Sequence, residues 1–256
     1  LEKDLLLALE QDQFIFYFQP QWDLREQKIE AYEALVRWEH PQKGLLMPGQ
    51  FLPLVEQVGL SKELDLLLLE KAVCTLAEWK KQGIHIPLAV NMSPVHFQVD
   101  GLKSRIQQLL LKYQVSPAVL ELEITESVVM DEPKIVIEAL QKLKNFGIKV
   151  AIDDFGIGFS SLSYLQQLPL DRIKVDRAFI RDIDQAAGEV IAETIISLGK
   201  RLNLATIAEG VETLAQEQAV MAMGCDEVQG FMYAKPMPPA ALLQYLQQSG
   251  KVTTSD

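Results

Sequence analysis

The sequence has 256 residues, a formal net charge of −11 and 48% hydrophobic residues, which is enough apolar material for one large core. The acidic balance argues against broad nucleic-acid binding, because that function needs a basic surface. No apolar run is long enough for a membrane span, and residues 1–10 lack the basic start of a signal peptide, so we expect a cytoplasmic protein, or the cytoplasmic part of a larger one, without membrane contact.

The first predicted element is an N-terminal helix over residues 1–12, in which Leu1–Leu9 has an apolar helical pattern. This helix either ends a connection from an upstream sensory or cyclase-like domain or caps the floor of the fold. The chain begins with Leu rather than Met, which indicates a segment of a longer protein or a processed one. We expect a single domain over residues 1–256 that ends in a polar tail over residues 249–256.

A β-hairpin is predicted next. Phe14–Pro20 is aromatic and extended, Asp23–Lys28 is polar and turn-like, and Ile29–Trp38 is a second extended run. This spacing predicts two antiparallel strands. Six further short apolar strands are predicted at Ile86–Val90, Val119–Ile124, Lys149–Ile152, Asp171–Val175, Leu204–Ala208 and Glu227–Val228.

Amphipathic helices alternate with these strands. They are predicted at Lys62–Gln82, Leu102–Tyr113, Glu132–Phe146, Ser160–Gln167, Glu189–Leu202, Leu214–Met223 and Ala240–Gln247. The alternation predicts parallel strands with right-handed crossovers, and eight strands can close a barrel. The predicted fold class is therefore α/β, a single barrel, with an open doubly wound sheet as the alternative.

Polar residues recur at or just after the ends of the predicted strands. They are Asn91, Glu123, Glu126, Asp153, Asp154, Lys174, Asp176, Glu209, Glu212 and Gln229, and Glu33 lies within the second hairpin strand. In a β/α barrel the carboxyl ends of the strands meet on one face, and that face holds the active site. So many carboxylates repel one another unless cations lie between them. Carboxylates with one amide oxygen, and without thiolate or imidazole, favour Mg²⁺ or Mn²⁺ over Zn²⁺.

The adjacent acids Asp153 and Asp154 are suited to two metals at once. Two metals about 3.5–4 Å apart activate a water and stabilise an in-line displacement at phosphorus. The alternatives are local: a single acid can cap a helix, the Asp-Asp-Phe-Gly string can be a turn, and Lys174 can pair with Asp176 or Asp154. Acids at six strand ends are harder to explain by capping, so the pattern favours a metal-dependent phosphodiesterase.

Seven strings in order carry a family resemblance. They are Glu33-Ala34-Leu35-Val36-Arg37-Trp38, Asn91-Met92-Ser93-Pro94, Glu123-Ile124-Thr125-Glu126, Asp153-Asp154-Phe155-Gly156, Lys174-Val175-Asp176-Arg177, Glu209-Gly210-Val211-Glu212 and Gln229-Gly230-Phe231. This sequence resembles the EAL-domain family, the bacterial cyclic di-GMP phosphodiesterases, from Tyr17 to Pro238. The resemblance implies a TIM-like (β/α)8 barrel with an antiparallel first strand. It also implies hydrolysis of cyclic di-GMP to linear pGpG with two Mg²⁺ or Mn²⁺ ions per site.

The same resemblance implies a role for each site residue. The first metal would be held by Glu33, Asn91, Glu123 and Asp153, and the second by Asp153, Asp154 and Glu209. Lys174 would orient the attacking water, so that the catalytic residues are Lys174, Glu209 and Asp154. The substrate would be contacted or positioned by Gln19, Arg37 and Gln229, with the Arg37 guanidinium on a phosphate.

The loop after Asp154 is expected to be held by Glu126 and Glu212 and, in this family, to touch the partner of a homodimer. Ile157 stands in this loop where the family usually has a smaller Thr or Ala, a departure that concerns loop mobility and dimer coupling. Ca²⁺ is expected to bind the oxygen ligands but to inhibit, because its coordination is larger and looser. Two alternatives stay open: a receptor that binds cyclic di-GMP without cleaving it, and a barrel phosphodiesterase for another phosphate ester.

Overall fold

The computed structural model describes residues 2–97, 101–126, 133–156 and 165–248. The chain opens with helix α1 (Glu2–Glu10), which buries Leu5 and Ala8 in the core. Ile157 and most of the helix predicted at Ser160–Gln167 lie outside the described residues, as does the tail over 249–256.

The predicted hairpin is confirmed. Strands β1 (Phe14–Asp23) and β2 (Lys28–His40) pair antiparallel, from Phe14 opposite Trp38 to Asp23 opposite Lys28. A short strand, β3 (Gly44–Leu46), adds antiparallel to the end of β2, and helix α2 (Pro48–Gln57) follows. Neither element was predicted, because three residues show no alternation and Pro53 interrupts the pattern of α2.

The remaining strands follow in chain order around the barrel. They are β4 (Leu88–Asn91), β5 (Leu120–Thr125), β6 (Lys149–Phe155), β7 (Arg172–Val175), β8 (Ala205–Glu209) and β9 (Glu227–Gln229). From β2 through β4 to β9 each neighbour is parallel, and β9 then pairs antiparallel with β1. Since β1 also pairs with β2, eight strands close a ring. The structure therefore confirms the TIM-like barrel with its antiparallel first strand, and the open doubly wound sheet was wrong.

Helices cover the outside of this ring. They are α3 (Ser61–Lys81), α4 (Leu102–Tyr113), α5 (Pro133–Phe146), α6 (Arg177–Arg181), α7 (Ala186–Arg201), α8 (Leu214–Met223) and α9 (Pro239–Gln248). Their bounds differ from the predicted ones by three residues at most, except that α6 was not predicted. It spans five residues and is started by Asp176, whose side chain accepts a hydrogen bond from the Ala178 amide. None of the helices described here is long and apolar enough to cross a membrane.

The apolar core lies between the strands and the helices, and the barrel interior is polar. In β5, for example, Leu120, Leu122 and Ile124 pack in the core, and the alternate residues Glu121 and Glu123 are buried on the opposite face of the strand. Because side chains alternate along a strand, the polar residues at every second position of β5 face into the barrel. The functional site is built on these inward positions.

Candidate functional site

Lys174, which is completely buried, lies at the centre of a cluster of carboxylates. Its Nζ atom is 2.8 Å from Glu123 Oε2, 2.8 Å from Glu209 Oε1, 3.2 Å from Asp153 Oδ1 and 3.5 Å from Glu33 Oε2. These partners come from β2, β5, β6 and β8, while Lys174 is on β7. The structure therefore pairs the lysine with the predicted metal ligands and not with Asp176 or Asp154, the local partners considered from the sequence.

Strand register explains why these residues meet. Glu123 on β5 is opposite Asn91 on β4, and Asp153 on β6 is opposite Thr125. Asp153 thus lies two residues further along the register than Glu123, and both are at the carboxyl ends of their strands. These ends converge on one face of the barrel, which brings together acids that are distant in sequence. We call Glu33, Glu123, Asp153, Asp154, Glu209 and Lys174 the acidic cluster.

A backbone irregularity brings the adjacent Asp153 and Asp154 to the same site. Neighbouring residues of a regular strand face opposite sides. Here the pairing of β6 with β7 shifts register between Ile152 and Phe155, and Asp154 has a left-handed backbone with φ of 54°. Such a bulge redirects side chains at the end of a strand. It allows both aspartates to face the cluster.

The protonation of the cluster shows that it is short of positive charge. Burial raises the pKa of Glu209 to about 8, and burial together with Asp153 raises the pKa of Asp154 to about 6. Burial and the charge of Glu33 also raise the pKa of Glu123 well above its ordinary value. Burial acts in the same direction on Glu33, but Lys174 and two amide donors outweigh it and lower its pKa. One ammonium thus leaves several carboxyl groups holding protons that divalent cations would displace.

The ligand geometry fits two cations that share a residue. Carboxylate oxygens of Glu33, Glu123 and Asp153 lie within 4.8 Å of one another, and so do those of Asp153, Asp154 and Glu209. Asp153 belongs to both groups. All of these donors are oxygens, the donor type that hard divalent cations prefer. The acidic cluster is therefore a candidate metal centre.

Asn91 completes the ligand group around Glu33. Its amide nitrogen donates a 2.9 Å hydrogen bond to Glu33 Oε1, so its carbonyl oxygen is the atom left for a cation. Its place beside Glu33 agrees with the ligand role expected for it from the sequence.

Two glutamines extend the cluster towards β1. Gln229 Nε2 donates to Glu33 Oε2 at 2.7 Å and to Gln19 Oε1 at 3.0 Å. Gln19 Nε2 then donates to the carbonyl of Ala234 at 3.1 Å. The predicted substrate residues Gln19 and Gln229 are therefore in direct contact with each other and with a candidate metal ligand.

Arg37 is on β2, four residues after Glu33. Its guanidinium is buried, lies 5.3 Å from the centre of the Tyr17 ring and donates to the carbonyl of Val36. Burial lowers its pKa, and its Nε has no hydrogen-bond partner within the part of the chain that the structure describes. A buried cation with a free donor is suited to an anionic ligand.

The loop after Asp154 is held at its start by Glu126. Glu126 Oε2 accepts a 3.1 Å hydrogen bond from the Gly156 amide. The side chain of Glu212 is exposed, and its backbone amide donates to Gln216. Residues 157–164, which Glu212 was expected to support, lie outside the described residues.

A second polar layer lies beneath the acidic cluster and was missed from the sequence. It consists of Gln21, Glu121, Arg172 and Glu227, all buried, and we call it the lower layer. On the parallel strands each member stands two residues before a residue of the site, as Arg172 does before Lys174. The signal was present: the strings Glu-Leu-Glu, Arg-Ile-Lys and Glu-Val-Gln alternate polar and apolar residues within buried strands.

Comparison with known proteins agrees with this geometry. Residues 2–236 match the family model described as the EAL domain. MucR of Pseudomonas aeruginosa, a bifunctional diguanylate cyclase/cyclic di-GMP phosphodiesterase, is 40% identical over 243 residues, which are 94% of this chain and 35% of that protein. The cyclic di-GMP phosphodiesterase PdeR of Escherichia coli is 34% identical over 249 residues, which are 97% of this chain and 38% of that protein. The chain spans about a third of the length of the curated relatives it matches.

Solved structures give the same result. The PaMucR phosphodiesterase in complex with c-di-GMP has a TM-score of 0.89 and 40% sequence identity, and the match covers 94% of this chain and 98% of that chain. The EAL enzyme Bd1971, in its cAMP- and cyclic-di-GMP-bound form, has a TM-score of 0.90 at 27% identity, over 96% of this chain and 68% of that chain. The resemblance seen in the sequence is confirmed, and this chain belongs to the EAL domain family.

Proposed function

We propose that this domain hydrolyses one phosphodiester bond of cyclic di-GMP to give linear pGpG, with two Mg²⁺ or Mn²⁺ ions. The observation that carries the proposal is the pair of carboxylate groups that share Asp153 beside a buried lysine. Relatives named as cyclic di-GMP phosphodiesterases, and a related structure that holds c-di-GMP, supply the substrate class.

The two ligand groups support one set of residues for each ion. One ion would be held by Glu33, Asn91, Glu123 and Asp153, and the other by Asp153, Asp154 and Glu209. When bound, such ions supply an activated water and charge stabilisation at phosphorus. The protein contributes a rigid, preorganised set of oxygens, so that little reorganisation is needed during the reaction.

Lys174 orients the attacking water. In this structure its Nζ donors are shared among four carboxylates. With cations on those carboxylates, a Lys174 donor would be available to the attacking water. The buried ammonium also stabilises the negative charge that develops on the phosphoryl oxygens, because few solvent dipoles screen it there.

The substrate is held beside this centre by Gln19, Arg37 and Gln229. Arg37 supplies a buried cation for a phosphate, and its unpartnered Nε is the available donor. Gln19 and Gln229 offer amide groups next to Glu33. Glu126 and Glu212 keep the loop after Asp154 in its working shape, Glu126 through the Gly156 amide.

The test is hydrolysis of cyclic di-GMP by the purified domain. We expect pGpG with Mg²⁺ or Mn²⁺, and inhibition when Ca²⁺ is added, because Ca²⁺ occupies oxygen ligands but coordinates too loosely for the chemistry. Tight binding without product in the presence of Mg²⁺ would instead assign a receptor. Hydrolysis of a different phosphate ester in a substrate panel would replace cyclic di-GMP as the substrate. Turnover with Ca²⁺ equal to that with Mg²⁺ would refute the metal assignment.

We also infer that the domain acts as a homodimer within a longer cytoplasmic protein that has an upstream sensory or cyclase-like domain. The longer protein is supported by curated relatives that extend well beyond the matched region, while the dimer rests on the family resemblance alone. Light scattering coupled to size-exclusion chromatography tests the dimer, and a monomer at micromolar concentration with cyclic di-GMP and Mg²⁺ present would refute it.

A further inference from the structure

The lower layer is joined by one guanidinium. Arg172 NH1 donates to Gln21 Oε1 and to Glu121 Oε1, both at 3.1 Å, and Arg172 NH2 donates to Glu227 Oε1 at 3.0 Å. These partners come from β1, β5 and β9, so a residue on β7 connects four strands across the barrel. Arginine suits this position because its planar fork reaches several acceptors at once.

Gln21 connects the lower layer to the acidic cluster. Its side chain is completely buried, and its Nε2 donates to Gln229 Oε1 at 3.1 Å and to Glu123 Oε1 at 3.4 Å. Its Oε1 faces Arg172, which has only donors to offer. The Arg172 guanidinium therefore fixes the orientation of the Gln21 amide, with its oxygen towards Arg172 and its nitrogen away from it.

That orientation passes on from residue to residue. Gln21 presents its NH₂ group to Gln229, so Gln229 accepts that bond with its side-chain oxygen. The NH₂ group of Gln229 must then point away from Gln21. It points to Glu33 Oε2 at 2.7 Å and to Gln19 Oε1 at 3.0 Å. If Gln229 were reversed, its amide oxygen would face the carboxylate of Glu33, and two acceptors would repel each other.

We propose that Gln21, oriented by Arg172, is a positioning residue that fixes the Gln229 amide and through it the Glu33 carboxylate of the metal centre. Gln21 touches no expected metal or substrate atom. It acts through the 3.1 Å bond to Gln229 and, more weakly, through the 3.4 Å bond to Glu123. Outer hydrogen-bond partners of metal ligands are commonly worth 10–100-fold in metal affinity. The inference rests on the proposed function only in assigning Glu33 to a metal.

The test replaces Gln21 by Met, an apolar side chain of similar length, and measures Mn²⁺ binding by electron paramagnetic resonance without nucleotide. Gln21→Met should weaken Mn²⁺ binding about tenfold and lower kcat by a similar factor, with KM for cyclic di-GMP little changed. The metal titration does not depend on which ester is cleaved. Failure of the proposed function would appear as absence of pGpG with the wild-type protein, whatever the result of that titration.

Glu227→Gln is the matched control. It changes a partner of the same guanidinium, keeps an oxygen for Arg172 to contact, and has no bond to Gln21 or to the acidic cluster. It should stay within about twofold of wild type in Mn²⁺ affinity and kcat, which is the scale of a distant change. Equal losses in Gln21→Met and Glu227→Gln would overturn the proposal, since they would show general disruption of the lower layer.

A second variant, Arg172→Lys, covers the case in which Gln21→Met does not fold. It keeps the charge but loses the planar fork, so Gln21 is held less firmly. Its Mn²⁺ affinity should fall more than that of Glu227→Gln and less than that of Gln21→Met. Wild-type Mn²⁺ affinity in Gln21→Met, or in Arg172→Lys where that variant alone folds, would also overturn the proposal.

Discussion

The two polar layers inside the barrel share strands β5 and β7 but serve opposite purposes. In the lower layer one guanidinium contacts two carboxylates and a glutamine, and every member is buried. In the acidic cluster one ammonium faces four carboxylates, and Asp154 adds a fifth at the exposed end. On the two shared strands the layers are only two residues apart, as Glu121 and Glu123 are on β5.

The comparison teaches that charge balance separates structural from chemical polar groups in this barrel. A buried network joined through one cation stiffens the fold. A cluster with excess carboxylates is stable only with protons or cations from outside, and that requirement makes it able to bind metal. The position along the strands decides which layer is chemical, since only the layer at the carboxyl ends of the strands opens to a substrate.

The largest expected effect comes from removing the single cation of the acidic cluster. Lys174→Ala should lower turnover by about 10²–10⁴-fold, because a proton-transfer or charge-stabilising group is usually worth that much. Binding of cyclic di-GMP should persist, since the expected substrate contacts are made by other residues. Turnover is measured by pGpG formation, and binding by calorimetry with Ca²⁺ in place of Mg²⁺.

The control for this variant is Lys149→Ala, which removes a lysine near the start of β6, away from the cluster. It should leave turnover unchanged. If Lys174→Ala retained turnover within threefold of wild type, the lysine would have no part in the mechanism, and the contrast between the two layers would lose its functional meaning.

The next largest effect is a pH dependence of metal binding, which should arise from the acidic cluster and not from the lower layer. The pKa of Glu209 is raised to about 8 and that of Asp154 to about 6, so at pH 6 both hold protons to a large extent. A metal must displace these protons, and Mn²⁺ affinity should therefore rise about a hundredfold in total between pH 6 and pH 8, most steeply near pH 6. Calorimetry in buffers of different ionisation enthalpy measures the protons released. An affinity independent of pH would mean that these carboxyl groups are not ligands.

The members of the acidic cluster could be grouped from the sequence because the carboxyl ends of parallel strands in a barrel converge on one face. Strand ends converge, so Glu123, Asp153 and Glu209 were expected together before any contact was known, and the structure brings them together around Lys174. The bulge that turns both Asp153 and Asp154 inward has no signature that composition or periodicity reveals.

The lower layer was missed for a physical reason. A single polar residue inside an apolar strand, such as Glu121, looks the same in sequence whether it faces solvent at an edge or a cation inside a barrel. Its partner Arg172 is 51 residues away, and only the closure of the ring brings the two within 3.1 Å. Long-range closure is set by all eight strands together, so no local pattern predicts this pair.

The smallest expected effect is a pH dependence of protein stability that arises in the lower layer. Burial raises the pKa of Glu227 to about 7 from its ordinary 4.5, although Arg172 opposes the shift. Between these pH values the folded state holds a proton that the unfolded state has lost. The stability due to this group is therefore complete below about pH 4.5 and is lost as the pH rises through about 7.

Glu227→Gln mimics the protonated form at every pH. It should match wild type near pH 5 and exceed it by roughly 1–3 kcal/mol at pH 8, where wild type carries the buried charge, because each unit of pKa shift corresponds to about 1.4 kcal/mol. Urea unfolding at several pH values without metal measures the difference. Parallel stability curves for the two proteins would show that Arg172 holds Glu227 ionised throughout. The lower layer would then be a charged network at all pH values, and its contrast with the proton-holding acidic cluster would be sharper than the pKa of Glu227 indicates.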